Sequence, residues 1–476
     1  MSRLSSLGIG ATMLCICLGA LAAGSGFARA VEPADRERIE ALEKRVSELE
    51  ALLRKAMESK ASPDVAELQR RIDLLTRELE DAKLAEAAQP TELKSHHGLG
   101  PAASKVYGVS RGASVGGYGE ALFQDFDAQR DDGARTGTDS QFDFLRAVLY
   151  FGYKFSDRIV FNSEIEFEHA TTGAGDEDLG EVSVEFANLD FLLHPAANVR
   201  AGMVLIPVGF INEMHEPPTF LGATRPEVER RVIPTTWREN GLGAYGEAGP
   251  FSYRGYVVAG LDAEGFTASS GLRDGRQSGS RSAARDLGVT GRADFVGVPG
   301  LVAGASFFHG DSGQGTEDAS GDVIDGTVTL YDVHAEYASH GLIVRGLWSS
   351  VDVEDAGRIN TDILGLLSDP NNPMPSQSVG SRIRGWYGEA GYDALTWMGE
   401  RTRQALIPFV RYERLDTQDR VPTGFTSTGV NDVRIVTLGA NYRPIPNVSI
   451  KIEAQDFDRG NGAGTDQINA AIGYLF

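Results

Sequence analysis

Arg225, Arg230, Arg231 and Arg238 crowd one stretch, Pro207 to Gly241, which also holds Pro217-Pro218 and Trp237 and contains no lysine. A guanidinium is planar and permanently charged, and it grips a carboxylate or phosphate with two parallel hydrogen bonds. Such a cluster points to capture of an anion rather than to bond-making. Covalent and metal chemistry find less support. Of the eight histidines, His96 and His97 are adjacent, whereas His169, His194, His215, His309, His334 and His340 stand apart. No HxxxH pair and no GxxxxGK phosphate loop occurs. Both cysteines, Cys15 and Cys17, lie close to the N-terminus. The sequence therefore predicts no enzyme, no cofactor and no metal site.

The elements that must position those arginines alternate with period two. From Ser114 onward, stretches of strand length carry apolar residues on one parity and polar ones on the other. In 447–457, Val448, Ile450, Ile452 and Ala454 share one face; Ser449, Lys451, Glu453 and Gln455 share the other. In 159–168 the apolar face is Phe161, Ile165 and Phe167, against Asn162, Glu164, Glu166 and Glu168. We count sixteen such stretches, with eighteen as the alternative. Each is close to the 9–11 residues that a tilted strand needs to cross a bilayer. Short connections such as Ser156-Asp157-Arg158 alternate with long ones rich in Gly, Asp and Ser. This is the plan of an antiparallel transmembrane β-barrel, with short periplasmic turns and long outer loops. A water-soluble sandwich would instead bury its apolar face. The polar parity then faces a wet lumen, because closing charged side chains into a dry core is costly. It puts Arg146, Lys154, Arg345, Arg411 and Lys451 on the pore wall opposite Glu164 and Glu166. The longest connection, 207–241, is expected to fold inward and narrow the pore, with its four arginines as the positive wall. The alternative is an outer loop that pairs with lipopolysaccharide or with a neighbouring protomer.

The two ends of the chain agree with export to an outer membrane. In the last residues, Gln467 to Phe476, Ile468, Ala470, Ile472, Tyr474 and Phe476 share one parity and Gln467, Asn469 and Gly473 fall on the other, and the stretch ends on an aromatic residue, as a closing strand at an aromatic girdle would. Residues 1–30 read as a signal peptide, with Arg3, an apolar run from Leu7 to Leu21, and Ala28-Arg29-Ala30 as the cleavage site. Past it, no run of about 18 apolar residues marks a helical span. Residues 31–87 read as a periplasmic coiled coil. Ile39, Leu42, Val46, Leu49 and Leu53 are spaced 3, 4, 3, 4, and Leu68, Ile72, Leu75 and Leu79 repeat the pattern. Such a coil would join protomers; a hairpin folded on itself is the other reading. Residues 88–113, rich in Ala, Gly and Ser, read as a linker, and 114–476 as the barrel. Acidic and basic side chains balance up to Arg111, so the whole formal charge of −22 belongs to the barrel. That surplus argues against a nucleic-acid partner.

Two segments resemble a known family. Arg200-Ala-Gly-Met-Val-Leu-Ile-Pro-Val-Gly-Phe210 and Arg231-Val-Ile-Pro-Thr-Thr-Trp-Arg-Glu-Asn-Gly241, with the signal, the coiled coil and the terminal Phe, look like the phosphate-selective porin O and P family. The resemblance implies sixteen-stranded trimeric porins of the Gram-negative outer membrane, often passing anions. The phosphate-specific members carry an arginine ladder and a lysine cluster at the constriction, and 207–241 has no lysine. The expected function is passive diffusion of small hydrophilic solutes or ions, anions such as phosphate among them. A structural barrel tethered to the cell wall through the coiled coil is the alternative.

Overall fold

A computed structural model describes residues 41–42, 44–48, 70–78, 94–171, 180–366, 377–397 and 403–476. Sixteen antiparallel strands close into one barrel, each hydrogen-bonded to its neighbours in sequence, with the last paired to the first. They are β1 (Gly112–Phe126), β2 (Gln141–Ser156), β3 (Ile159–Glu168), β4 (Val182–His194), β5 (Ala197–Leu205) and β6 (Arg238–Ala248). Then come β7 (Phe251–Ala259), β8 (Leu287–Phe295), β9 (Leu301–Gly310), β10 (Val328–Ser339) and β11 (Leu342–Val353). The wall is completed by β12 (Arg382–Tyr392), β13 (Ala405–Arg420), β14 (Asp432–Ile445), β15 (Val448–Arg459) and β16 (Gln467–Leu475). Closure leaves no unpaired strand edge, which a lipid environment could not solvate.

The strands are inside-out relative to a soluble sheet. On β15, Ser449, Lys451 and Glu453 are buried, whereas Ala454 on the opposite parity is exposed. On β10, Tyr331, Val333 and Tyr337 are exposed and Asp332 and His334 are buried. Leu149, Phe151, Val257, Val289, Val410, Leu438 and Ile472 extend the exposed apolar belt around the wall. The sixteen strands and their faces follow the sequence pattern. Helical conformation is present at 41–42, 44–48 and 70–78. The expected signal peptide and most of the expected coiled coil lie outside the described residues.

The lumen departs from expectation. It was expected to be wet, and much of it is filled with protein. Residues 206–237, between β5 and β6, turn inward and cross the barrel. Ile206, Val208, Phe210, Val228, Val232, Ile233 and Trp237 form an interior apolar cluster with Phe266, Phe308 and Ile383. At the end where the short turns lie, the segment 96–108, read above as linker, enters as well. Leu99, Ala102 and Ala103 pack on Tyr118, Val148, Tyr150 and Phe186 inside the wall. Gly152 allows this, because a Cβ there would sit 2.5 Å from a methyl of Val106. Composition alone suggested a linker because small residues also suit close packing against a wall.

Candidate functional site

The inward loop is held by wall residues from almost every side. Glu453 accepts from the Ala223 and Thr224 N–H groups at 2.8 and 3.2 Å. Lys451 donates to the Gly222 carbonyl at 2.8 Å and lies 3.6 Å from the Phe220 ring centroid. Glu413 accepts from Val228 N at 3.2 Å. Across the lumen, Arg254 grips Glu213 at 2.7 Å and Arg292 donates to the Gly209 carbonyl. Within the loop, Glu229 accepts from Phe210 N and Ile211 N, both at 2.7 Å, and from the Tyr387 hydroxyl at 2.6 Å. The loop approaches the wall so closely that a Cβ on Gly222 would meet Arg411 and Glu453 at 2.7 Å.

These contacts correct the reading of several wall residues as lining open water. Arg411, Glu164, Lys451 and Glu166 are buried at 0, 0, 1 and 3% exposure. Arg411 pairs with Glu413 at 2.8 Å and Glu389 at 3.3 Å. Arg345 pairs with Glu336 and donates to the Thr219 carbonyl. Lys154 donates to the Val109 carbonyl at 2.9 Å, at the root of the N-terminal segment. Pairing and backbone hydrogen bonds offset the desolvation that made a filled lumen look too costly.

Open space remains at the long-loop end, on the side of β1, β2, β15 and β16. A cavity of about 1000 Å³ lies there, between the wall and the inward loop. Arg225, Arg230 and Arg231 all line it, joined by Arg146, Arg273, Arg459 and Arg130, the last of which pairs with Asp132; Glu120, Glu168, Glu227 and Asp274 are the acidic residues of the lining. The fourth predicted arginine, Arg238, does not. It is buried in β6 and pairs with Glu185 at 2.7 Å. Arg146 faces the cavity, although Glu166 at 3.0 Å and Glu120 at 3.5 Å pair with it. Arg230 pairs with Glu227 at 2.8 Å.

The remaining four are different. Among the described residues, Arg225, Arg231, Arg273 and Arg459 have no carboxylate within ion-pairing distance. Arg231 donates to the Ser269 carbonyl at 2.8 Å and to Asn431 at 3.3 Å. Arg459 donates to the Val430 carbonyl at 2.9 Å, and Nη1 of Arg273 is buried with no hydrogen-bond partner. Burial, then Arg276, Arg230 and Arg225, pushes Arg273 down to about 9. Burial pushes Arg231 down to about 10, with Glu227 opposing and Arg459 and Arg230 adding to the shift. Despite its burial, Arg230 and Arg231 hold the Glu227 carboxyl below its usual range. At neutral pH all of these guanidinium groups stay charged, so the cavity carries excess positive charge although the barrel as a whole is acidic. Arg273 and Arg459 went unnoticed in the sequence because they come from other segments; only the folded loops bring them to Arg231.

Sequence spacing also left His215 isolated. In the fold it meets Glu164 of β3 and Glu185 of β4, and all three are buried.

No protein-family model matches the sequence. An uncharacterized protein of Aquifex aeolicus (strain VF5) is 39% identical over 395 residues, covering 82% of this chain and 86% of the relative. Among solved structures, Salmonella typhi OmpF in complex with daunomycin aligns with a TM-score of 0.47 at 12% identity, over 77% of this chain and 98% of that one. An anion-selective porin from Comamonas acidovorans aligns with a TM-score of 0.45 at 10% identity, over 76% of this chain and 99% of that one.

Proposed function

The chain belongs to the same family as the Aquifex aeolicus protein, and we propose that it is an outer-membrane porin that admits small anions through its arginine-lined cavity. The observation that carries this reading is the set of four guanidinium groups without carboxylate partners, Arg225, Arg231, Arg273 and Arg459, around one cavity. The exposed apolar belt and closed sheet support a membrane setting. Small oxyanions suit the site, because a planar guanidinium offers paired donors to phosphate or carboxylate. Phosphate is one solute of that class, although 207–241 lacks the lysines that phosphate-specific porins carry, and Arg200–Phe210 and Arg231–Gly241 resemble that family in the wall and loop rather than in the solute. The resemblance also supports a homotrimer in the Gram-negative outer membrane, with residues 31–87 as a periplasmic coiled coil joining the protomers and lipopolysaccharide around the rim.

Purified protein in planar bilayers under a KCl gradient tests this. Anion selectivity is expected, with chloride current reduced by added phosphate. Cation selectivity would overturn it. A second reading, a structural barrel tethered through its N-terminal helices, is favoured by the filling of the short-turn end with Leu99, Ala102, Ala103 and Val106. A barrel that folds and inserts but passes no current would establish that reading instead.

A further inference from the structure

We propose that Glu164, Glu185 and His215 bind a first-row divalent transition-metal ion, with zinc as the working case, and that this ion latches the inward loop to the barrel wall. The inference concerns the part of the loop beside the arginine cavity, where Arg225 donates to the His215 carbonyl at 3.5 Å, and does not depend on which ions the barrel conducts. The three side chains come from β3, β4 and the loop, and their ligand atoms all lie within 4.8 Å of one another. Nε2 of His215 is 3.1 Å from Glu164 Oε1 and 3.8 Å from Glu185 Oε2. Ligands about 2.0–2.2 Å from a tetrahedral ion lie roughly 3.4 Å apart, and the observed separations bracket that value.

The backbone is arranged to bring the second carboxylate in. The β3–β4 register passes from Glu164↔Phe186 to Ile165↔Val184, so Glu185 is the extra residue of a β-bulge. As a result Glu185 and Phe186, neighbours in sequence, are both buried inside the wall. Bulges commonly re-aim a side chain beside a functional site.

The outer contacts leave the right atoms free. Nδ1 of His215 lies 3.1 Å from the Asn212 carbonyl, which keeps a proton on that nitrogen, so the neutral ring offers Nε2 as its ligand atom. Glu185 Oε1 accepts from Arg238 at 2.7 Å and Thr236 at 3.0 Å, while its Oε2 has no hydrogen-bond partner. Oε2 of Glu164 is likewise buried without one, and so is the hydroxyl of Tyr118, whose ring centroid is 6.1 Å from that of His215. Unpartnered carboxylate oxygens at 0 and 2% residue exposure are costly, and a bound cation would satisfy both. An imidazole beside two carboxylates favours a transition metal over calcium, which takes six to eight oxygens.

The full-length protein, folded in detergent and stripped with a chelator, would be loaded with Zn²⁺, desalted and assayed for bound metal. Co²⁺ loading followed by visible spectroscopy reports the coordination geometry. One ion per chain is expected in the wild type, with none retained by Glu164→Gln or His215→Ala. The first of these keeps the side-chain shape, and retention of a heat-modifiable band confirms that each variant is folded. Zinc should raise the temperature of that band shift in the wild type alone. If the wild type retains no zinc, the cluster is an imidazolium–carboxylate pair and the proposal fails. It fails equally if both variants retain zinc as the wild type does.

Discussion

At the residue scale, a guanidinium beside a carboxylate is largely neutralised, and this divides the predicted constriction residues. Arg225 and Arg231 face the cavity without a carboxylate partner, and Arg273 joins them from another loop. A unit charge about 8 Å from a permeating ion acts on it by about 0.5 kcal/mol at the dielectric of water and about 2 kcal/mol at an effective value of 20. Replacing Arg225, Arg231 or Arg273 with Ala should therefore shift the reversal potential toward cations, and the three changes together should shift it most. Arg238→Ala should instead act on folding, because it leaves Glu185 buried without its 2.7 Å partner. If Arg238→Ala moves the reversal potential as far as Arg231→Ala does, the division between the two is wrong.

At the element scale, the inward loop depends on a few buried anchors. Glu229 satisfies two backbone N–H groups and the Tyr387 hydroxyl at once. Removing it leaves three buried donors, each costing about 1–3 kcal/mol. Glu229→Ala should loosen the loop, which would appear as noisier open-channel current and a lower temperature for the band shift; Glu229→Gln should do less of both. The N-terminal segment is the second such element. The Glu216 carboxylate accepts from Ala102 N and Ala103 N at 2.9 and 3.2 Å, and Asn162 donates to the Ala103 carbonyl at 2.9 Å. Gly152→Leu would force Val106 off the wall and should raise single-channel conductance. An unchanged conductance would mean that ions do not pass the place where this segment lies.

At the scale of the whole molecule, closure rests on β1 meeting β16. Their register runs from Tyr118↔Leu475 to Phe126↔Gln467. Phe476 extends it, donating to the Gly117 carbonyl at 2.9 Å and accepting from Gly117 N at 3.0 Å. Deleting Phe476 removes both bonds and an exposed aromatic at the rim, so assembly should be impaired. The check is the yield of heat-modifiable protein, and a wild-type yield would show that the last residue is dispensable.

The strand number, the closed antiparallel plan and the two faces were legible in the sequence for one reason. The side-chain period of a strand is two, and an apolar outer face against a polar inner one repeats it along most of each strand. Ser449, Lys451 and Glu453 face inward as their parity requires. The inward turn of the longest connection could also be anticipated, from four arginines, a Pro-Pro pair and a tryptophan that an outer loop need not hold. Parity could not tell whether an inward residue meets water or protein. Lys451 and Arg411 read as pore-lining, yet the loop covers them, because burial depends on what a distant segment brings. The excess charge of the cavity needed Arg273 and Arg459 placed beside Arg231 by separate loops. The meeting of His215 with Glu164 and Glu185 needed a bulge that shifts one strand by a residue. Local spacing carries periodicity, but convergence of residues far apart in sequence exists only once the barrel has closed around the loop.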